Sequence, residues 1–125
     1  MWPMLAGVSA LLADGIRGQF VKPNGETTGW GVYKGASFLD NRFQVKLKEA
    51  YQLKNKNKPI AVLSSKRTSS SGEAVLIAFK ETNKVRFFGQ NSCGLSTANR
   101  MFYLNNGDTL LVTVSMMADR TGKQY

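Results

Sequence analysis

The 125-residue sequence contains no histidine and a single cysteine. Without histidine, the chain cannot build a Ser-His or Cys-His catalytic pair, or a histidine-bearing zinc site, from its own residues. A single cysteine excludes an internal disulfide bond. No run approaches the ~18 apolar residues of a membrane-spanning helix. We expect neither a bound metal nor another cofactor.

Acidic residues are also scarce, because 8 Asp and Glu oppose 17 Lys and Arg and leave a formal net charge of +9. A positive net charge favours anionic partners in general. The densest basic run, residues 46–58, matches no nucleic-acid-binding module, and charge blocks are commonly solvated segments. We interpret this run as a basic loop rather than a phosphate-binding patch. No specific nucleic-acid partner is expected.

Composition is that of a single globular domain spanning residues 1–125, with 42% hydrophobic and 20% charged residues. The opening segment, Met1 to Ala13, lacks the basic start of a signal peptide and fits a helix with Pro3 in its first turn. Asn-Gly turns between strand-like segments predict antiparallel hairpins over residues 16–33 and 100–116. Residues 36–53 are ambiguous: FQVKL alternates like a strand, whereas KEAYQL fits a short helix.

The middle of the chain predicts a strand, a helix and a second strand. Ile60 to Ser64 is a continuous apolar run, and Gly72 to Lys80 has helical apolar spacing. Val85 to Phe88 supplies the next strand and completes a βαβ unit, whose crossover should be right-handed. The fold class is therefore α/β, a βαβ unit with a mixed sheet and antiparallel hairpins.

The segment SSKRTSSSGEAV joins the first of these strands to the helix, a position where ligands and reactive groups collect in α/β sheets. Unpaired backbone amides at the helix start can stabilise an oxyanion that develops beside a serine. The same residues also fit a structural role, because Ser70 and Glu73 have the spacing of a capping box. Composition does not separate these two interpretations.

Two separated motifs and a closing hairpin resemble the C-terminal-processing (tail-specific) serine peptidases, family S41. They are TSSSGE (residues 68–73) between an apolar strand and an apolar helix, FGQNSCGLST (88–97), and a hairpin ending in ADRTG (118–122). The resemblance covers about Ile60 to the end of the chain. It implies the C-terminal part of the catalytic domain, a fragment of a ClpP/crotonase-like peptidase fold.

The resemblance implies roles for particular residues. Ser70 corresponds to the nucleophile, which in the family stands three residues before a glutamate at the helix start, and the amide of Ser71 would form half of the oxyanion hole. Gly89, Gly94 and Leu95 would line the substrate cleft. In the family the other half of the oxyanion hole lies in a glycine-rich loop before the helix that opens this chain. We therefore expect a missing N-terminal half of the same domain, and an isolated chain that is incomplete and inactive.

One departure from the family pattern concerns the general base. Leu95 stands where members with a Ser-Lys dyad carry lysine, and leucine cannot accept a proton. Lys66 and Lys80 are near Ser70 in sequence, but neither lies in a predicted apolar pocket that would lower its pKa. We interpret Cys93 as a small buried residue rather than a nucleophile, and the adjacent Asp119 and Arg120 as an ordinary ion pair.

The resulting hypothesis is a serine endopeptidase that hydrolyses peptide bonds of proteins, near their C-termini, by acylation of Ser70. The alternative is a peptidase-like fold that has lost its base and binds peptides or apolar ligands. A basic nucleic-acid adaptor is a third hypothesis, which depends on net charge alone. The polypeptide substrate is the expected partner, and we also expect self-association through Met1 to Leu12 and a free sheet edge. The cellular compartment is not assigned.

Overall fold

The computed structural model describes residues 1–55 and 57–125. Lys56, which belongs to the predicted basic loop, lies outside the described residues. The chain opens with helix α1 (Trp2–Val8), which has a proline in its first turn as predicted and continues into a 3₁₀ turn (Ser9–Leu11). The second helix, α2, spans Ser71–Phe79. No described helix has the length and apolar content needed to cross a membrane.

Eight strands accompany the two helices in the described residues. They are β1 (Gly15–Val21), β2 (Thr27–Tyr33), β3 (Ala36–Leu39), β4 (Arg42–Lys46), β5 (Ile60–Ser64), β6 (Val85–Gly89), β7 (Thr97–Tyr103) and β8 (Thr109–Asp119). Six of them form an antiparallel sheet in the order β4-β3-β2-β1-β8-β7. Both predicted hairpins, β1–β2 and β7–β8, are therefore confirmed.

The predicted βαβ unit is also confirmed, because β5 and β6 pair in parallel and α2 connects them. This pair forms a second, two-stranded sheet beside the six-stranded one. The α/β fold class is correct, and the structure adds that the parallel strands and the hairpins occupy separate sheets.

The ambiguous segment after β2 is resolved in favour of strands. Residues 43–46 of FQVKL lie in β4, whereas residues 48–53 (KEAYQL) form neither helix nor strand. A helix as short as residues 48–53 is unstable in water by itself, so tertiary contacts determine which conformation the segment adopts. Here the backbone N–H of Leu47 donates to the carbonyl of Gly35 at 3.1 Å, and a Cβ at Gly35 would lie 2.5 Å from the Ala50 Cβ. The segment thus packs against the turn between β2 and β3.

The core forms where the two helices pack on β1, β2, β3 and β8. Its largest fully buried side chain is Trp30, which lies flat against the backbone of Gly18 on the neighbouring strand; a Cβ at Gly18 would come within 2.2 Å of the indole ring. The buried apolar residues around it come from α1, α2, β2, β5 and β8: Leu5, Val32, Val62, Ala74, Ile77, Ala78, Phe79 and Met117. This packing fixes α2, and with it the serine turn, on the sheet.

Candidate active site

Ser70 lies at the N-cap of α2, and the helix begins at Ser71, as the sequence predicts. The side chain is exposed. The carbonyl of Ser70 accepts the first helical hydrogen bond, from the N–H of Ala74 at 3.1 Å. The N–H of Ser71 makes no hydrogen bond within residues 1–55 and 57–125, which is the usual state of the first amide of a helix. Ser70 therefore stands beside an amide that is free to donate.

The backbone of Ser70 has φ 50° and ψ −113°. An ordinary N-cap residue has extended backbone angles, and positive φ is disfavoured for residues with a Cβ. Such a conformation costs on the order of 1–3 kcal/mol and persists only where the surrounding structure imposes it. Reactive serines on sharp strand-to-helix turns have strained backbones of this kind. The geometry of Ser70 is therefore not that of a simple helix cap.

The turn that precedes Ser70 is held by its own hydrogen bonds. The N–H of Ser65 donates to Thr68 Oγ1 at 3.1 Å, and the N–H of Thr68 donates to the carbonyl of Ser65 at 2.9 Å. The carbonyl of Thr68 in turn accepts the N–H of Cys93 at 2.8 Å. The serine turn is thus tied directly to the second motif.

Glu73 supplies the second link between the two motifs. Its Oε2 accepts the N–H of Ser70 at 2.9 Å, which is the glutamate half of the predicted capping box, and its Oε1 accepts the N–H of Gly94 at 2.7 Å. The carboxylate is only 3% exposed. Sequence reasoning found the first bond through the Ser-x-x-Glu spacing, but no local signal pointed to the second. Glu73 therefore holds the nucleophile candidate and the second motif in one arrangement.

The three residues assigned to a substrate cleft occupy different environments. Gly89 ends β6 with φ 104°, and a Cβ there would lie 2.1 Å from the carbonyl oxygen of Ser64. Gly94 has φ 82° in open space and touches the serine turn through Glu73. Leu95 follows it with 54% of its surface exposed. The structure thus brings Gly94 to the serine turn, leaves Leu95 at the surface and uses Gly89 for close backbone packing.

No candidate base stands beside Ser70 in the part of the chain that the structure describes. Lys80 follows the last residue of α2, ten positions after Ser70, which corresponds to roughly 15 Å along a helix. Its Nζ lies 4.2 Å from the centre of the Phe87 ring instead. Lys66 is exposed in the turn. The structure therefore excludes Lys80 as the partner of Ser70 in this conformation and leaves the Lys66 side chain exposed to solvent.

Two sequence-based interpretations are wrong. Cys93 is exposed rather than buried, because the loop that carries it runs over the surface of the serine turn. Asp119 and Arg120 do not form an ion pair, because β8 ends at Asp119, Arg120 lies in the turn that follows, and the two side chains have separate partners. Arg120 donates to the carbonyl of Lys80 at 2.6 Å and to Thr82 Oγ1 at 2.7 Å.

Asp119 is fully buried and organises the end of β8. Its carboxylate accepts hydrogen bonds from Thr121 N–H at 2.8 Å, Thr121 Oγ1 at 2.6 Å, Lys123 N–H at 3.2 Å and the Tyr125 hydroxyl at 2.9 Å. Burial raises the pKa of Asp119, but these donors outweigh it and hold the pKa below its usual range. Burial, followed by the bond to Asp119, raises the pKa of Tyr125 to about 12. The cluster fixes the strand end that follows the second hairpin.

A cavity of about 320 Å³ lies behind the second motif, between one face of α2, the end of β6 and Tyr125. Its lining comprises Ser64, Glu73, Leu76, Ile77, Lys80, Phe87, Gln90, Asn91, Ser92, Gly94, Ser96 and Tyr125. Glu73 and Gly94 belong to this lining, whereas Ser70 stands outside it. The reactive-serine candidate is thus on the surface beside the cavity.

Comparison with known proteins gives consistent results. The model of peptidase family S41 matches residues 2–125. The nisin-resistance protein of Lactococcus lactis subsp. lactis is 36% identical over 133 residues, covering 98% of this chain and 38% of the relative. A lipoprotein from Streptococcus agalactiae superposes with a TM-score of 0.70 at 25% identity, over 98% of this chain and 41% of the other.

A more distant structure supports the fold alone. The photosystem II D1 C-terminal processing protease superposes with a TM-score of 0.67 at 18% identity, over 99% of this chain and 28% of the protease. The chain therefore spans well under half the length of the relatives that it matches.

Proposed function

This chain belongs to peptidase family S41, and from that premise we propose that it carries the nucleophile of a serine endopeptidase, with Ser70 as the acylated residue. The observation that carries the proposal is the backbone of Ser70, φ 50° and ψ −113°, at an exposed helix N-terminus. A cap requires no such conformation. A strained strand-to-helix turn presents the nucleophilic serine in other hydrolases, where it exposes the hydroxyl for attack.

The proposed reaction follows from this geometry. Ser70 Oγ attacks the carbonyl carbon of the scissile peptide bond while a base takes its proton, and the N–H of Ser71 donates to the oxyanion of the tetrahedral intermediate. The proton then goes to the leaving amine, and water releases the acyl group from Ser70. Glu73 contributes by positioning, since it binds the N–H of Ser70 and of Gly94 at the same time.

The base and the second oxyanion donor are proposed to come from residues outside this chain. Supporting this, the Nζ of Lys80 lies over the Phe87 ring beyond the far end of α2, and the chain covers only 38% of the nisin-resistance relative. We propose polypeptides as substrates, with cleavage near their C-termini, in line with the name of the D1 processing protease. The name of the Lactococcus relative makes the peptide nisin the first substrate to test.

A fluorophosphonate probe and a peptide-hydrolysis assay on the full-length protein test the proposal. Ser70→Ala should abolish both labelling and hydrolysis, with a fall on the order of 10⁴-fold or more, because the covalent route is lost. Leu95→Ala should leave most of the activity. Ser69→Ala is the matched control and should keep labelling. Labelling that persists in Ser70→Ala would place the nucleophile elsewhere.

The second candidate function is a peptide- or apolar-ligand-binding module that has lost catalysis, and Leu95 favours it. Leucine stands where a dyad lysine would be, and 54% of its surface is exposed, next in sequence to Gly94, which binds Glu73. This function predicts saturable peptide binding by a folded, full-length protein that the probe does not label. Leu95→Ala would then weaken binding, whereas Ser70→Ala would not.

A further inference from the structure

Two arginines lie close together where β1 meets β8. The antiparallel ladder ends at the pair Gly18–Asp119, and Arg17 and Arg120 are the next residues, Arg17 at a register irregularity of β1 and Arg120 just past the end of β8. Arg120 is near enough for its charge to act on Arg17. Arg17 is only 5% exposed, and Arg120 is half-buried. Positive charges held together away from water require a compensating interaction.

Each of the two guanidinium groups keeps an N–H group that donates no hydrogen bond in the part of the chain that the structure describes. Among residues 1–55 and 57–125, the Arg17 guanidinium makes one hydrogen bond, to the carbonyl of Asp14 at 3.4 Å, whereas Arg120 donates to the Lys80 carbonyl and to Thr82 Oγ1 through one nitrogen. The Nε atoms of Arg17 and Arg120 are buried and have no hydrogen-bond partner within the described residues. Buried polar groups are satisfied in most native structures.

Within the described residues, no carboxylate forms a direct ion pair with Arg17 or Arg120. The one ion pair found within residues 1–55 and 57–125 joins Lys22 and Glu26. Asp14 is the nearest acidic influence on Arg17, but its Oδ1 accepts the N–H of Lys34 at 2.9 Å. Burial, and then the charge of Arg120, lower the pKa of Arg17, and an arginine so perturbed still stays protonated.

We propose that Arg17 and Arg120 form a binding site for an oxyanion, a carboxylate or phosphate group. The planar fork of guanidinium matches two oxygens of such a group, and the added negative charge removes the repulsion between the two arginines. The site is independent of the proposed Ser70 chemistry. Arg120 binds the carbonyl of Lys80, beyond the last turn of α2, whereas Ser70 caps its start.

Thermal melts of the full chain test this site. Sodium phosphate is compared with sodium chloride at matched ionic strength, and sodium acetate serves as the carboxylate probe. In tenfold excess over its dissociation constant, a bound oxyanion should raise Tm by about 5 °C over chloride. Arg17→Met should remove that rise. The exposed Arg42→Met is the matched control for net charge and should keep it.

The outcomes separate the ligand classes. A larger shift with acetate assigns the site to carboxylates, and a larger shift with phosphate assigns it to phosphate groups. Equal shifts in the wild type and Arg17→Met, or no shift of the wild type beyond that of chloride, overturn the proposal. If Arg17→Met does not fold, calorimetric titrations of the wild type with phosphate and with acetate decide, since the absence of saturable heat with both also overturns the proposal. Arg17→Lys, which keeps the charge but loses the fork, should bind at least tenfold more weakly.

Discussion

At the scale of single residues, Ser70 is the N-cap of α2 and also the proposed nucleophile, and these two roles favour different backbone angles. The amide of Ser71 is free to donate, and Glu73 fixes the N–H of Ser70, yet the φ of 50° is one that glycine adopts more easily than serine. A structure optimised only for stability would have glycine there. The serine hydroxyl is therefore retained at a cost in folding free energy, as expected of a functional group.

This conflict predicts the stability of two variants. Ser70→Gly relieves the positive φ and loses only a few tenths of a kcal/mol of capping, whereas Ser70→Ala keeps the strain and loses about 1 kcal/mol. In urea unfolding, Ser70→Gly should exceed Ser70→Ala by about 1–2 kcal/mol and equal or exceed the wild type. Ser69→Gly, at a position without positive φ, is the control and should lower stability. A wild type clearly more stable than Ser70→Gly would show that the backbone is unstrained.

The Tyr125 hydroxyl gives a second residue-scale prediction. Its pKa is raised to about 12 in the folded chain, chiefly by burial and then by Asp119, against about 10 for an unfolded tyrosine. The stability that this group contributes is fully present below pH 10 and is lost as pH rises through 12, an effect of about 2 kcal/mol.

Chemical unfolding at pH 9 and pH 12 measures this loss. Tyr125→Phe should lose less stability than the wild type between these two pH values. The exposed Tyr103→Phe is the control and should behave as the wild type does. An identical alkaline loss in Tyr125→Phe and the wild type would contradict the proposed linkage.

At the scale of elements, the parallel pair β5–β6 depends on the close approach of two strand ends. Ser64 Oγ donates to the carbonyl of Gln90 at 2.7 Å, and the carbonyl of Ser64 accepts the N–H of Gln90 at 3.0 Å. Gly89 lies between these bonds and has no room for a side chain. The strand ends that support the serine turn and the second motif are thus joined through a glycine.

Alanine substitutions at two glycines of the second motif should therefore differ in effect. Gly89→Ala meets both a positive φ and the Ser64 carbonyl at 2.1 Å, so it should destabilise the chain by roughly 3 kcal/mol or more. Gly94→Ala meets a positive φ in open space and should cost about 1–2 kcal/mol. Urea unfolding of both variants measures the difference. Equal losses would mean that the Ser64 carbonyl moves away without cost.

At the scale of the whole molecule, apolar surface concentrates on the β7–β8 hairpin. Its exposed apolar residues are Met101, Phe102, Tyr103, Leu104, Leu110, Leu111, Val112 and Met116. β7 is also an edge strand of the six-stranded sheet. By contrast, the segment Met1–Leu12 buries Leu5, Ala6 and Leu12 in the core. The surface available for association is therefore mainly the hairpin rather than α1.

The isolated chain is predicted to self-associate at micromolar concentration through this hairpin. Met101 and Leu111 are cross-strand partners, so replacing both with lysine places two charges on one patch. Sedimentation velocity should show the wild type as a concentration-dependent oligomer and the double variant as a monomer. Phe43→Lys, an exposed apolar residue on the other edge strand, β4, is the control. A wild type that stays monomeric across the micromolar range would contradict the prediction.

Local signals in the sequence determined much of this protein. The Asn-Gly turns specified two hairpins, the apolar run at residue 60 and the helical spacing after it specified the βαβ unit, and the Ser-x-x-Glu pattern located the start of α2. Each of these depends on residues within a few positions of one another. That proximity is why composition and spacing were sufficient, and the quoted motifs led to family S41.

The tertiary structure alone decided how the candidate site is assembled. Glu73 binds Gly94 across 21 positions of the sequence, and Arg120 binds Lys80 across 40. The exposure of Cys93 depends on the course of the loop that carries it. The positive φ of Ser70 is likewise a feature that only the folded structure shows. Sequence spacing carries little information about them, because a long-range hydrogen bond depends on how two elements pack rather than on the residues beside it.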